Sequence, residues 1–149
     1  MKLWLTLGAI FSLLCVAGAY MGYKIYKQNL PHPIWVPLEI KADLPLEAQD
    51  QMVRDLKENL VKEPVLSAIV KDLNLQQAWS KSSEAEAQQY LKQLIYVKRG
   101  KMDTPMGKAP SVHVGVQGKE KNRDLTQKIL LRLMKDVAVI LGIDLPDSR

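Results

Sequence analysis

The chain has 149 residues, 47% hydrophobic and 25% charged, and its 21 Lys and Arg exceed its 16 Asp and Glu. This length leaves room for one folded domain after an N-terminal segment, so we expect no second domain. The positive excess is small and interspersed, without an aromatic-basic platform, which argues against a nucleic-acid partner. The single cysteine, Cys15, excludes an internal disulfide framework.

An uncharged segment occupies the N-terminus, from Leu3 to Tyr23. A helix of this length, rising about 1.5 Å per residue, crosses the ~30 Å hydrocarbon core of a bilayer. We therefore predict one transmembrane helix, with residues 1–30 as the anchor and juxtamembrane segment. The alternative is a cleaved signal peptide, because residues 17–19 form an A-x-A pattern of the kind that precedes cleavage sites.

The flanks and glycines of this segment bear on topology and association. Lys2 and the α-amino group on one side nearly balance Lys24 and Lys27 on the other, so charge alone does not set the orientation. Gly18 and Gly22 form a GxxxG pattern, which lets two membrane helices approach closely. They are candidate helix-association residues, although small residues also occur at this spacing without that role.

A strand is the first element predicted after the anchor. Residues 28–33 contain two prolines and form a stiff, extended linker. In the following WVPLEIK, Val36, Leu38 and Ile40 alternate with their neighbours, which predicts a half-buried strand. Pro37 cannot donate a hydrogen bond to another strand, so this strand lies at a sheet edge or begins to pair after the proline.

Three helices are predicted next. The first covers 46–62, and the second starts at Pro64 and ends near Asn74, which tolerates the left-handed conformation of a helix end. After a polar connection at 76–83, an S-x-x-E capping box predicts a third helix to about residue 94. The apolar residues expected on the buried faces recur at helical spacing: Met52, Val53, Leu56 and Leu60, then Val65, Leu66, Ile69, Val70 and Leu73, then Ala87, Tyr90, Leu91 and Leu94.

The C-terminal half is predicted as two strands and a helix. A β-branched and aromatic run at 95–97 indicates a short strand, and the Gly-, Pro- and Lys-rich segment 98–110 a long exposed loop. Residues 111–117 alternate strictly, which is the strongest strand pattern in the chain. A helix capped by Asn122 then runs to Gly142. Its expected buried residues are Leu125, Ile129, Leu133, Val137 and Ile140.

This order of elements predicts the fold class. A strand, three helices, two strands and a helix suit an α+β domain, in which a small mixed or antiparallel sheet of about three strands is packed by helices. We place this domain at residues 31–142 and regard 143–149 as a polar tail.

Candidate binding residues are basic or aromatic. Lys98, Arg99, Lys101 and Lys108 share the predicted loop and form a candidate ligand or partner surface, for which solubility is the alternative explanation. Trp35 and Trp79 fit no core periodicity clearly. We expect them to be partly buried, and if exposed they can stack on a sugar or a partner. His113, on the polar side of its strand, is interpreted as a solvated surface residue.

Motifs of catalysis are missing from the sequence. It contains no GxxxxGK[ST] or GxGxxG phosphate loop and no GxSxG elbow. Its two histidines, His32 and His113, have no metal-ligand spacing. We therefore expect a protein that is not an enzyme and has no cofactor or metal.

Three segments carry a resemblance to a known family: LVKEPVLSAIVKDLNLQQAW at 60–79, LKQLIYVKRG at 91–100 and VHVGVQGKEKNRDLTQKILLRLMKDV at 112–137. Together with the N-terminal membrane helix and the strand after it, they make the chain similar to the polysaccharide co-polymerase, or chain-length determinant, family over roughly residues 1–142. The second membrane helix of that family has no counterpart before Arg149. The resemblance carries over no site residues.

The resemblance implies a function, a location and partners. It implies a single-pass protein of a bacterial inner membrane with its domain in the periplasm. Such a protein forms a homo-oligomer or acts with other polysaccharide-assembly membrane proteins, as an accessory in biosynthesis, chain-length control or export. The alternative is a periplasmic binding module for anionic or sugar ligands, released if the N-terminal segment is cleaved.

Overall fold

The structure is a computed structural model and describes residues 18–41, 43–105 and 107–143. Residues 18–28 are helical and form α1. The remaining helices are α2 (Leu46–Leu60), α3 (Glu63–Asp72), α4 (Leu75–Ala78), α5 (Glu84–Leu94) and α6 (Arg123–Leu141), the last preceded by a 3₁₀ turn at Glu120–Asn122. The strands are β1 (Ile34–Glu39), β2 (Ile95–Thr104) and β3 (Gly107–Val116). This confirms the α+β class.

The three strands form one antiparallel sheet in the order β1-β3-β2. Strand β1 is therefore at an edge, as Pro37 predicts. Backbone bonds at both ends of β1, from His32 N to Gly118 O (2.8 Å) and from Ile40 N to Pro110 O (3.3 Å), show that even-numbered residues bond toward β3. Because strand residues alternate, Pro37 faces the outer edge, where its missing N–H costs no hydrogen bond of the sheet.

The prediction of a long loop at 98–110 is wrong, because most of these residues belong to a hairpin formed by β2 and β3. The two strands pair residue for residue from Ile95 with Val116 to Thr104 with Gly107. The pairing of β1 with β3 ends at Ser111, so the outer part of the hairpin, residues 101–110, has only two strands. Most of its described side chains are exposed. Such a segment has no apolar alternation, so the sequence gives no strand signal there.

The helix boundaries follow the predicted local signals. Pro64 is in the first turn of α3, and Asn74 after it is left-handed, with φ of 48°. Ser83 caps α5 by accepting a hydrogen bond from Glu86 N at 3.2 Å. The predicted polar connection at 76–83 is partly wrong, because α4 includes residues 76–78 and places Leu75 in the core.

Helix α6 follows its prediction with two exceptions. Ile129, Leu133 and Val137 are buried, whereas Ile140 is 37% exposed because the whole last turn of α6, 139–141, is exposed. Asn122 occupies the N-cap position, but its side chain makes no capping bond. Instead its carbonyl accepts a hydrogen bond from the Thr126 hydroxyl at 3.0 Å.

The core lies between the helices and one face of the sheet. Val112, Val114 and Val116 on β3 are at most 1% exposed, as their alternation predicts. Fully buried leucines and isoleucines of the helices complete it, each contributing about 1.5–3 kcal/mol through burial: Leu60, Ile69, Leu75, Leu91, Ile129 and Leu133.

The predicted transmembrane segment lies mostly outside the described residues, which include only positions 18–23 of it. Across 18–41, 43–105 and 107–143, no helix combines the length and the apolar character needed to cross a bilayer. Helix α1 is exposed throughout, and nothing lies within 4 Å of a Cβ built on Gly18 or Gly22. Of the predicted polar tail, only Ile143 is described.

Candidate functional site

A cleft of about 640 Å³ opens at the end of the sheet where β1 and β2 begin and β3 ends. This volume is within the ~300–1,000 Å³ range of small-molecule sites. Its walls come from five parts of the chain: the segment after α1, the sheet, the α4–α5 region, the 3₁₀ turn and the first turns of α6. We call it the aromatic cleft, after its four aromatic lining residues, Trp35, Trp79, Tyr90 and Tyr96.

Trp79 and Tyr90 form one wall of the aromatic cleft. Their rings meet edge to face, with centroids 4.8 Å apart and an angle of 88° between planes. The Lys81 ammonium lies 4.8 Å from the centroid of Tyr90 and 3.0 Å from the Glu86 carboxylate. The edge-to-face contact with Trp79 and the cation–π contact with Lys81 hold the Tyr90 ring in one orientation.

Tyr96 lies across β3 because Gly115 leaves space for it. A Cβ at position 115 would be 2.5 Å from the Tyr96 ring carbon Cζ and 2.7 Å from the Ile34 carbonyl. The Tyr96 hydroxyl is protonated at neutral pH and can donate a hydrogen bond, and burial raises its pKa further above the ordinary 10.0. The Lys98 ammonium lies 5.5 Å from the centroid of the Tyr96 ring, a favourable cation–π arrangement.

Trp35 is held by His113, a residue that the sequence interpretation placed in solvent. That interpretation is wrong: His113 is 8% exposed, and its ring stacks on Trp35 at 4.2 Å with 9° between planes. Its Nε2 is 3.0 Å from Ser111 Oγ, and Gly100 leaves room for the ring. Trp35 itself is 45% exposed and lines the aromatic cleft, so His113 supports a face that remains open to a ligand.

The polar lining of the aromatic cleft is basic and neutral. Among the described residues that line it, Lys98 and Lys119 are the charged ones, and there is no Asp or Glu. Amide side chains of Asn29, Gln117 and Asn122 add donors and acceptors. The electrostatic potential therefore favours an anion.

The four basic residues proposed from the sequence do not form one surface. Lys98 lines the aromatic cleft. Arg99 follows it in the strand and so points to the other face, where it meets Asp50 of α2 at 3.0 Å. Lys101 and Lys108 lie in the exposed outer half of the hairpin. The basic residue that lines the aromatic cleft together with Lys98 is Lys119, which comes from a different part of the chain.

The segment that joins α1 to the domain is fixed against the aromatic cleft. Asn29 ends α1, with its side-chain amide donating to Ile25 O at 2.9 Å. Pro31 pairs with Lys119, and Leu30 O accepts from Glu120 N at 3.1 Å. The proline-marked linker is thus bonded to the 3₁₀ turn, which sets α1 close to the cleft.

This arrangement suits binding. Aromatic faces, amides and two ammonium groups surround an open space, as in sites that recognise a ligand by stacking, hydrogen bonds and charge. No group of three or more His, Cys, Asp or Glu side chains arranged to hold a metal ion occurs in the part of the chain that the structure describes.

Comparisons with known proteins leave the function to be argued from this geometry. The predicted likeness to polysaccharide co-polymerases has no support from them and stays a prediction. No protein-family model matches the chain, and no curated protein or solved structure shows significant similarity to it.

Proposed function

We propose that this protein is a non-enzymatic binding module that holds an anionic sugar ligand in the aromatic cleft. The observation that carries the proposal is the meeting of four aromatic side chains and two lysines, without a carboxylate among the described lining residues, around one space of about 640 Å³. Sequence positions as distant as Trp35 and Lys119 contribute to it.

The aromatic rings favour a ligand with a flat apolar surface. The exposed Trp35 face, backed by His113, and the Trp79–Tyr90 pair offer two platforms. Pyranose rings present C–H groups on their faces and hydroxyls at their edges, so they stack on aromatic rings while amides such as Gln117 and Asn122 bond the hydroxyls.

The lysines favour a negative charge on that ligand. Lys98 and Lys119 are both exposed side chains with flexible stems, and ammonium groups bind phosphate or carboxylate as point charges. A neutral sugar gains no attraction from these two charges, so we expect it to bind more weakly.

The setting that we propose is a membrane. An N-terminal transmembrane helix over 3–23, a periplasmic domain and a role in polysaccharide assembly, alone or as an oligomer with other membrane proteins, remain our proposals from the sequence. A module that binds an anionic sugar beside its membrane anchor fits such a role.

Tryptophan fluorescence tests the proposal in the full chain, purified in mild detergent. The chain has three tryptophans, and Trp4→Phe leaves Trp35 and Trp79, both in the aromatic cleft, as reporters. We expect glucose 1-phosphate to change their emission saturably and to bind about tenfold more tightly than glucose, a difference of about 1.4 kcal/mol.

Two double variants with equal loss of charge give the control. Lys98→Gln with Lys119→Gln removes the cleft lysines, and we expect it to weaken glucose 1-phosphate about tenfold. Lys101→Gln with Lys108→Gln, in the outer hairpin, should leave binding unchanged. An emission that does not respond to the ligand, or an equal loss in both double variants, would refute the proposed site.

A further inference from the structure

We infer that the ligand of the aromatic cleft is an anionic amphiphile that enters from the membrane. In this arrangement the anionic headgroup lies at Lys98 and Lys119, and the start of the apolar chain lies on the floor of the cleft. This inference rests on the proposed function and adds the class and source of the ligand.

The floor of the aromatic cleft is apolar. Ile129 is 1% exposed, and Leu94 and Leu125 are half-buried, whereas both lining lysines are exposed. The cleft therefore changes from charged at its rim to apolar at its base. A free sugar phosphate covers the rim and the aromatic platforms but leaves the exposed parts of Leu94 and Leu125 in contact with water, whereas an amphiphile covers these as well.

The position of α1 brings the aromatic cleft close to a membrane surface. Every described residue from 18 to 31 is exposed, including Tyr20, Met21, Tyr23 and Tyr26 at 64–67%. A helix that exposes so many apolar and aromatic side chains beside its own domain needs another partner, and tyrosines concentrate where a helix leaves a bilayer. The occupant of this surface that we propose is the lipid bilayer.

Chain length limits how far the aromatic cleft can be from that bilayer. From Lys27, near the end of α1, four residues lead to Pro31 on the wall of the cleft. Even fully extended, they span only about 14 Å. The hydrogen bonds between this segment and the 3₁₀ turn fix the geometry further.

The charges around this end of the domain complement an anionic membrane. Lys24 and Lys27 belong to α1, and Lys119, Lys121 and Arg123 belong to the 3₁₀ turn and its flanks, to which the segment after α1 is bonded. The one acidic residue of the 3₁₀ turn, Glu120, contacts His32 at 3.0 Å. A basic end next to a bilayer enriches anionic lipids at the mouth of the aromatic cleft.

Brominated lipids test the inference, because bromine on an acyl chain quenches tryptophan at close range. The full chain with Trp4→Phe is reconstituted in vesicles of phosphatidylcholine and phosphatidylglycerol, with one of the two lipids brominated at a time. We expect phosphatidylglycerol to quench Trp35 and Trp79 about twofold more than phosphatidylcholine at equal mole fraction. Excess glucose 1-phosphate should remove the difference by competing at the lysines.

Variants and outcomes separate this inference from the proposed function. Lys98→Gln with Lys119→Gln should abolish the preference, and Lys101→Gln with Lys108→Gln should keep it. Equal quenching by both lipids, together with saturable binding of glucose 1-phosphate, would overturn the amphiphile and leave the proposed function standing. Selective quenching without binding of glucose 1-phosphate would instead support the amphiphile and overturn the sugar ligand. Loss of both responses would overturn both.

Discussion

Gly115 is the residue on which the shape of the aromatic cleft depends most directly. Gly115→Ala would place a methyl group 2.5 Å from the Tyr96 ring and 2.7 Å from the Ile34 carbonyl. Because the carbonyl belongs to the backbone, the Tyr96 side chain, which lines the cleft, must shift. We expect the variant to lose about 1–3 kcal/mol of unfolding free energy and to bind glucose 1-phosphate more weakly.

Thermal unfolding of the full chain in detergent, followed by circular dichroism, measures the loss of stability in Gly115→Ala. Gly22→Ala is the control, because nothing lies within 4 Å of its added Cβ and alanine favours a helix, so we expect no loss of stability. A Gly115→Ala variant as stable as the parent would show that Tyr96 does not occupy this position.

The ionisation of Glu86 makes the stability of the folded domain depend on pH. Hydrogen bonds from Ser82, reinforced by Lys81, lower the pKa of Glu86 from 4.5 to about 2. Since the folded-state pKa is depressed, the stabilisation is present above pH 4.5 and is lost as the pH falls toward about 2. We expect the thermal midpoints of the parent and Glu86→Gln to differ at neutral pH and to converge across that window. A difference that stays constant with pH would contradict this account.

Residue-level reasoning from the sequence succeeded where the cause was local and failed where it was not. The capping role of Ser83 and the left-handed Asn74 depend on immediate neighbours, and both predictions are confirmed. His113 was misplaced in solvent because its burial depends on Trp35, from a strand that pairs with its own only in the folded protein. Alternation assigns a residue to a face of the sheet, but it does not say what covers that face.

At the scale of elements, Arg132 joins two helices. It contacts Asp72 of α3 at 2.7 Å and Asp136 of its own helix at 2.6 Å, and both contacts raise its pKa. Arg132→Met keeps the length of the side chain but removes these contacts. We expect a loss of about 1 kcal/mol, because Asp72 is half exposed and partly screened by solvent.

The thermal midpoint in detergent measures this loss, which should be a few degrees. Arg54→Met on α2 is the matched control, because Arg54 bonds only to the neighbouring Gln51 among the residues described. An equal shift in the two variants would mean that the α3–α6 contact does not stabilise the fold.

Element type was predictable wherever the burial of one face gave the apolar residues a regular spacing along the chain. Alternation identified β1 and β3, and helical spacing identified α2, α3, α5 and α6. The outer hairpin was missed because none of its described side chains is fully buried until Ser111, so its residues show no apolar alternation. Helix α4 was missed because a single turn is too short to show a period.

At the scale of the whole molecule, the fold class followed from the sequence, but the aromatic cleft did not. The predicted order of elements was enough for an α+β domain with a three-stranded sheet. The sequence singled out Trp35, Trp79 and Lys98 separately, without indicating that they share a space. Their meeting depends on the strand order and on the docking of α5 and α6, which no local pattern encodes.

Protection of individual lysines from acetylation tests the central claim, that the aromatic cleft is the binding site, most directly. The full chain is treated with an acetylating reagent with and without glucose 1-phosphate, and each lysine is followed by peptide mass spectrometry. We predict that the ligand slows modification of Lys98 and Lys119 several-fold and leaves Lys101 and Lys108 unchanged. Protection of the hairpin lysines instead, or of none of the four in a chain that still binds the ligand, would contradict the account.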